Sequence, residues 1–163
     1  SLDQVCLQSC IDSSLTIASN QLRENDVRVV KHFIATPKIS CYPSKLNQVF
    51  LNIITNACQA MSTCGGNLTI TLDQHKDHIV VQFQDQGTGM DEATRQKMFD
   101  PFFTSKPIGQ GTGLGMSIAY KIIAAHNGQI EVDSTPGVGT AITISLPIQP
   151  NTNTEDALVT AAA

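Results

Sequence analysis

The sequence predicts an α/β domain built as a two-layer sandwich, a mixed and mainly antiparallel sheet covered on one face by helices. Three observations lead there. Stretches of helical period alternate with stretches of β-branched or alternating character. Two pairs of strand-like stretches are joined by short turns of hairpin type. No early strand runs into a glycine fingerprint that opens a helix, and there is no G-x-x-x-x-G-K-[ST] loop, which sets aside the Rossmann and P-loop architectures. The 163 residues suffice for one domain with a real core, expected over 1–148, with a tail over 149–163 expected to be disordered.

The elements follow in order. Leu2 to Leu22 reads as one helix, with apolar positions at Leu2, Val5, Cys6, Ile11, Leu15 and Ala18. Val27 to Phe33 is β-branched at Val27, Val29 and Val30 and reads as a strand, which Ile34 to Pro37 leads out of. Pro43 opens a second helix from its first turn. That helix has an apolar face of Leu46, Val49, Phe50, Ile53, Ile54, Ala57 and Met61, and the run Cys64 to Asn67 ends it. Leu68 to Gln74 and His78 to Gln84 form a hairpin about His75-Lys76-Asp77. A glycine-bearing loop, a short helix around Asp91 to Lys97 and an irregular stretch rich in Phe, Pro and Gly come next. A helix from about Leu114 to Ala125 stops at Asn127-Gly128. Gln129 to Asp133 and Thr140 to Leu146 close the domain as a second hairpin about Pro136-Gly137.

Composition narrows the function. Hydrophobic residues make up 41% and charged residues 15%, which marks a globular chain. The net charge of -4 comes with no basic stripe, so nucleic acid is set aside as a partner. No apolar run approaches the ~20 residues that span a bilayer. The five cysteines form no C-x-x-C pair and neither a metal framework nor a disulfide framework. Cys6 and Cys10, at i and i+4, read as buried apolar residues on one helix face, and free thiols suggest a reducing, cytoplasmic setting.

Four stations carry chemistry. Asn52 and Asn56 lie one helical turn apart beside the core stripe of the second helix. They are either a solvated edge or an amide pair aimed at a metal or phosphate, because Asn competes with the helix backbone for hydrogen bonds and Mg²⁺ prefers oxygen ligands. Asp85-Gln86-Gly87-Thr88-Gly89-Met90 follows the inward alternation Ile79, Val81, Phe83. It is either a plain turn or a carboxylate acceptor for an adenine amine, with glycines that admit a flat ligand. Phe99 to Lys106 gathers three of the six phenylalanines, as a satellite core or as the hinge of a lid that carries a cation. Gly109 to Met116 runs directly into a helix, where free N–H groups and the helix dipole make an anion site.

In order, the chain reads N-x-x-x-N-A, D-x-G-x-G, F-D-P-F-F-T-S-K, G-T-G-L-G and G-V-G-T before a final strand. This set resembles the catalytic, ATP-binding domain of histidine kinases, in the gyrase, Hsp90, histidine kinase and MutL superfamily. Asn47 to Met61 is similar to the N box, Asp85 to Met90 to the G1 box, Phe99 to Lys106 to the F box and Gly111 to Met116 to the G2 box. The resemblance runs from about Leu2 to Pro147. The short segment from Thr104 to Gly111 is closer to nitrogen-regulatory-type sensor kinases, with a short ATP lid, than to long-lid types.

The resemblance implies the Bergerat ATP-binding fold, with ATP and Mg²⁺ as cofactors. Asn56 would coordinate Mg²⁺, with Asn52 near the metal and phosphates and Lys106 reaching the γ-phosphate, these three forming the catalytic set. Asp85 would take the adenine amine, Gly87 and Gly89 would give close backbone contact, and Thr140 would support the base. Amides from Gly113, Leu114, Gly115 and Met116 would cradle phosphates, and Met90, Phe99, Gly111 and Thr112 complete the nucleotide-binding set.

Two departures shape the expected mechanism. His32, His75, His78 and His126 lack the H-E-[LI]-x-x-P run of a phosphoacceptor box and read as structural or solvated, His126 at a helix C-terminus where a cation is favoured. The acceptor histidine is therefore expected upstream of Ser1, on a dimerisation domain that passes phosphate to the receiver domain of a response regulator. ATPase relatives carry a glutamate where this chain has Asn52, and a neutral amide is no general base. A neutral imidazole acceptor needs positioning rather than deprotonation. The isolated domain is expected to be monomeric and cytoplasmic, from a parent compatible with anchoring in the inner membrane. A clamp ATPase, a serine kinase or a non-catalytic nucleotide-binding module are the alternatives.

Overall fold

Alternation along the strands decides which face of the sheet is covered. Leu68, Ile70 and Leu72 are buried while Thr69 and Thr71 between them are not, and Ile79, Val81 and Phe83 repeat the pattern. A computed structural model describes residues 2–35, 37–100 and 115–148. Its main sheet has five strands in the order β2-β4-β5-β7-β6. These are β2 (Val27–Phe33), β4 (Gly66–His75), β5 (His78–Gln84), β6 (Gln129–Thr135) and β7 (Gly139–Pro147). Only β2 and β4 pair in parallel, so the sheet is mixed and mainly antiparallel as the sequence predicts.

Three helices cover the apolar face, α1 (Leu7–Ile17), α3 (Pro43–Ala60) and α5 (Gly115–Ala125). The central one is α3, which packs on both α1 and α5. Its Leu46, Val49, Phe50, Ile53, Ile54 and Ala57 are all buried, at the spacing of one helix face. Phe50 meets Phe83 of β5 with ring centroids 5.7 Å apart, joining the two layers at their middle. The other sheet face is polar, with Gln82 Nε2 donating to Thr143 Oγ1 across β5 and β7 at 3.1 Å.

The N-terminal region corrects the single helix expected over Leu2 to Leu22. Asp3–Cys6 is a strand, β1, that pairs antiparallel with β3 (Lys38–Cys41) in a separate two-stranded sheet. Tertiary pairing therefore overrides the apolar spacing of Leu2, Val5 and Cys6. The helix after it breaks at Ala18, ahead of α2 (Ser19–Glu24). Ser14 Oγ donates to the Cys10 carbonyl at 2.9 Å and Thr16 Oγ1 to the Asp12 carbonyl at 3.0 Å, a back-bonding that bends helices. Cys6 consequently lies on a strand and is half-buried, whereas Cys10 is buried on α1. All five cysteines are free thiols.

The remaining boundaries match the sequence reading to within a few residues. Lys76 in the β4–β5 turn has φ +57 and Asn127 after α5 has φ +59, the left-handed conformation each turn requires. The short helix α4 (Glu92–Lys97) is capped by Asp91, whose side chain accepts from the Thr94 N–H at 2.7 Å.

Candidate functional site

One face of α3 links two separate parts of the chain. Asn52, Asn56 and Ala60 follow at i, i+4 and i+8. Asn52 Nδ2 donates to the Gly115 carbonyl at the start of α5, 3.1 Å away. Eight residues further on, the Ala60 carbonyl accepts the Thr88 N–H at 3.1 Å. This stretch of α3 therefore runs for about 12 Å between the first turn of α5 and the loop after β5. Asn52 and Asn56 are both half-buried.

Asp85 sits where β5 ends, opposite the start of β7. Its backbone N–H donates to the Thr140 carbonyl at 2.8 Å, extending the ladder by one rung. Its Oδ1 accepts two backbone N–H groups, from Gly87 at 2.9 Å and from Thr140 at 3.2 Å. Among the described residues no donor meets Oδ2, so that oxygen is the acceptor left for a ligand. Burial pushes the Asp85 carboxyl above its ordinary range, against the downward pull of the bonds from Gly87 and Thr140.

The glycines of this loop answer first to the protein. A Cβ on Gly89, where φ is +68, would lie 2.1 Å from the Thr135 carbonyl oxygen. A Cβ on Gly139, where φ is +147, would lie 2.1 Å from the Asp85 carbonyl oxygen. The two hairpin ends thus approach one another too closely for any side chain. Gly87 is buried against Ala60 in the same way.

Ser134 is a residue that sequence reasoning missed. Its Oγ accepts the Met90 N–H at 2.8 Å, donates to the Gly139 carbonyl at 3.1 Å and lies 2.8 Å from Thr140 Oγ1. With its own proton on Gly139, it receives the Thr140 hydroxyl proton, which turns the Thr140 oxygen into an acceptor. A serine on an edge strand gives no signal in one sequence. Only the register of β6 on β7, Ser134 opposite Thr140, brings it to the site.

The structure thus places Asn52 and its partner Gly115 midway along α3, and Asp85, Gly87, Gly89, Met90 and Thr140 in or beside the loop bonded to its C-terminal end. Met116 is buried in the first turn of α5. Phe99 packs on Tyr120 of α5 with ring centroids 5.4 Å apart. Lys106, Gly111, Thr112, Gly113, Leu114 and the expected lid lie outside the described residues.

His126 is structural, one of the two readings the sequence left open for it, and it is not the cation that a helix C-terminus favours. It is 2% exposed, with Nδ1 donating to the Ile122 carbonyl at 2.8 Å and Nε2 accepting the Tyr42 N–H at 3.2 Å. Burial depresses its pKa, so the ring is neutral, and desolvation outweighs any attraction to the helix dipole.

Residues 41–150 match the family model for histidine kinase-, DNA gyrase B- and HSP90-like ATPases. The chain belongs to that family. The family makes ATP the nucleotide class for this site. The chain is 37% identical over 154 residues to the signal transduction histidine-protein kinase AtoS of Escherichia coli, covering 92% of this chain and 24% of AtoS. It is 44% identical over 118 residues to sporulation kinase E of Bacillus subtilis, covering 71% of this chain and 15% of that kinase. The chain therefore spans less than a quarter of the length of either relative. Among solved structures, the mycobacterial sensor histidine kinase MprB is similar with a TM-score of 0.80 and 29% identity, over 93% of this chain and 100% of that one. The nucleotide-free catalytic domain of histidine kinase ThkA matches with a TM-score of 0.81 and 25% identity, over 92% and 97%. The two-layer sandwich with its mixed sheet is accordingly the Bergerat fold of histidine-kinase catalytic domains.

Proposed function

We propose that this chain is the catalytic domain of a two-component sensor kinase. It binds MgATP and gives the γ-phosphoryl group to a histidine on a separate dimerisation domain. The receiver domain of a response regulator then takes the phosphoryl group from that histidine. The observation that carries the reading is the α3 face, which joins the loop that follows Asp85, through Thr88, to the first turn of α5 over about 12 Å of helix. That is the length scale of a nucleoside with its phosphates.

The residues divide the work. Asp85 Oδ2 accepts the adenine amine while backbone N–H groups hold the other carboxylate oxygen in place. Gly115 and Met116 open α5, whose dipole favours phosphate. The donor set fits Mg²⁺. Asn56 would hold the ion through its amide oxygen, and Asn52, one turn away with its amide nitrogen committed to Gly115, would keep Oδ1 for the surroundings of the metal and phosphates. No cluster of three or more His, Cys, Asp and Glu occurs among the described residues, which suits an ion held mainly by phosphate and water. When bound, the ion neutralises charge on the phosphates. The Asn52 side chain, neutral and bonded to Gly115, is unsuited to drawing a proton from water, which favours a nucleophile that is already neutral.

The histidines of this chain do not serve as the acceptor. His126 is buried with both ring nitrogens engaged, His32 lies on the edge strand β2, and His75 and His78 flank the β4–β5 turn, none of them in a phosphoacceptor run. The test is incubation with γ-labelled ATP, first of the chain alone and then with a separate helical dimerisation domain that carries the acceptor histidine. Acid-labile label on that domain, with little on the chain itself, is expected. Rapid phosphate release by the chain alone would favour a clamp ATPase, and acid-stable label on a partner would favour a serine kinase.

A further inference from the structure

We propose that His126 is a positioning residue, a neutral clamp that sets the register of α5 against α3 and so the place of the first turn of α5 at the nucleotide site. The two helices run antiparallel and are tied at both ends. At the site end Asn52 Nδ2 donates to the Gly115 carbonyl. At the far end the Tyr42 N–H, at the N-cap of α3, donates to His126 Nε2, just past the last residue of α5. Ten residues separate the ties on α3 and eleven on α5, about 15 and 16 Å of helix. Nearly equal spans make the pair a closed frame, in which slippage at one tie moves the other.

The ring chemistry suits a clamp of fixed polarity. Nδ1 carries the proton and gives it to Ile122 inside α5, which leaves Nε2 as a pure acceptor for the neighbouring helix. The Tyr42 ring stands edge-on to the imidazole at 5.9 Å and 74°, fixing its plane. A second proton on the ring would set N–H against N–H at Tyr42.

The inference rests on the nucleotide reading, and two substitutions separate the functions of the ring. In His126→Gln a side-chain oxygen at the ε position can still accept from Tyr42. In His126→Asn the amide reaches only as far as Ile122, and the tie between helices is lost. Isothermal titration with MgATP and with adenosine reads the two ends of the site. His126→Asn is expected to weaken MgATP by about tenfold, the equivalent of about 1.4 kcal/mol, and to leave adenosine, held at Asp85, within about twofold. His126→Gln is expected to keep both. Equal losses for both ligands, or no loss in His126→Asn, would overturn the clamp. A readout without ligand decides it separately: the Asn52 side-chain amide and the Gly115 to Ser117 amide resonances should shift in His126→Asn and stay in His126→Gln. Unmoved resonances would overturn the clamp, whereas a wild-type chain that binds neither ligand would overturn the nucleotide reading instead.

Discussion

Asp85→Asn separates the binding function of this carboxylate from its structural cost. In the wild-type chain Oδ1 takes the Gly87 and Thr140 N–H groups, and in the proposed function Oδ2 is the oxygen that accepts the adenine amine. Two fixed backbone donors force the Asn oxygen into the Oδ1 position, so the amide nitrogen replaces Oδ2 and points a donor at the adenine amine. Losing a hydrogen bond to a charged acceptor costs about 1.5–3 kcal/mol, or roughly 10- to 100-fold in affinity. GTP, which offers a carbonyl in place of that amine, should lose less, so the ATP preference narrows or reverses. Stability should move the other way. The carboxyl is held above its ordinary range by burial, so its contribution favours the fold at low pH and is lost as pH rises through the folded-state pKa. At pH 7 the neutral amide removes that penalty, and the variant should melt no lower than wild type. Calorimetric titration with ATP and GTP, paired with thermal melts, checks both halves. Unchanged ATP affinity, or parallel loss of ATP, GTP and thermal stability, would refute the reasoning.

Asn56→Ala should weaken MgATP by about tenfold and metal-free ADP much less. Equal losses with and without Mg²⁺, measured by titration, would make Asn56 a packing residue. Gly139→Ala puts a Cβ 2.1 Å from the Asp85 carbonyl oxygen at φ +147, and denaturant unfolding should show a loss of at least about 2 kcal/mol. His126 titrates with a folded-state pKa depressed by burial, and no charged side chain adds to the shift; the Tyr42 ring and the Ile122 carbonyl face it. Stability should therefore fall as pH drops below about 6.5 and level off below the folded-state pKa. His126→Gln should flatten that limb in melts between pH 7 and 5, and an unchanged limb would assign it to other groups.

Long elements with a clear period were legible in the sequence. The β4–β5 hairpin is announced by Leu68, Ile70, Leu72 against Ile79, Val81, Phe83, with a polar turn between, and α3 by a buried face that never breaks from Leu46 to Ala57. The pairing of β1 with β3 was not legible. Each strand has four residues, too few for a period, and they meet only because residues some 35 apart come together. The site was half legible. Asp85 and the asparagines stand out by chemistry, but the reason for Gly89 and Gly139 lies in backbone contacts between distant hairpin ends. Ser134 and His126 carry bonds set by tertiary register, Ser134 opposite Thr140 and His126 against Tyr42, to which local sequence offers no guide.

The central claim is that one face of α3 spans a nucleotide from its base to its phosphates. Titration of the isotope-labelled chain with MgATP, followed by amide resonances, tests it most directly. Shifts should gather at Asp85 to Met90, at Thr140, at the Asn52 and Asn56 side chains and at Gly115 and Met116. The polar sheet face at Thr71, Gln82 and Thr143 should stay still. Shifts confined to that polar face, or none at saturating MgATP, would contradict the account.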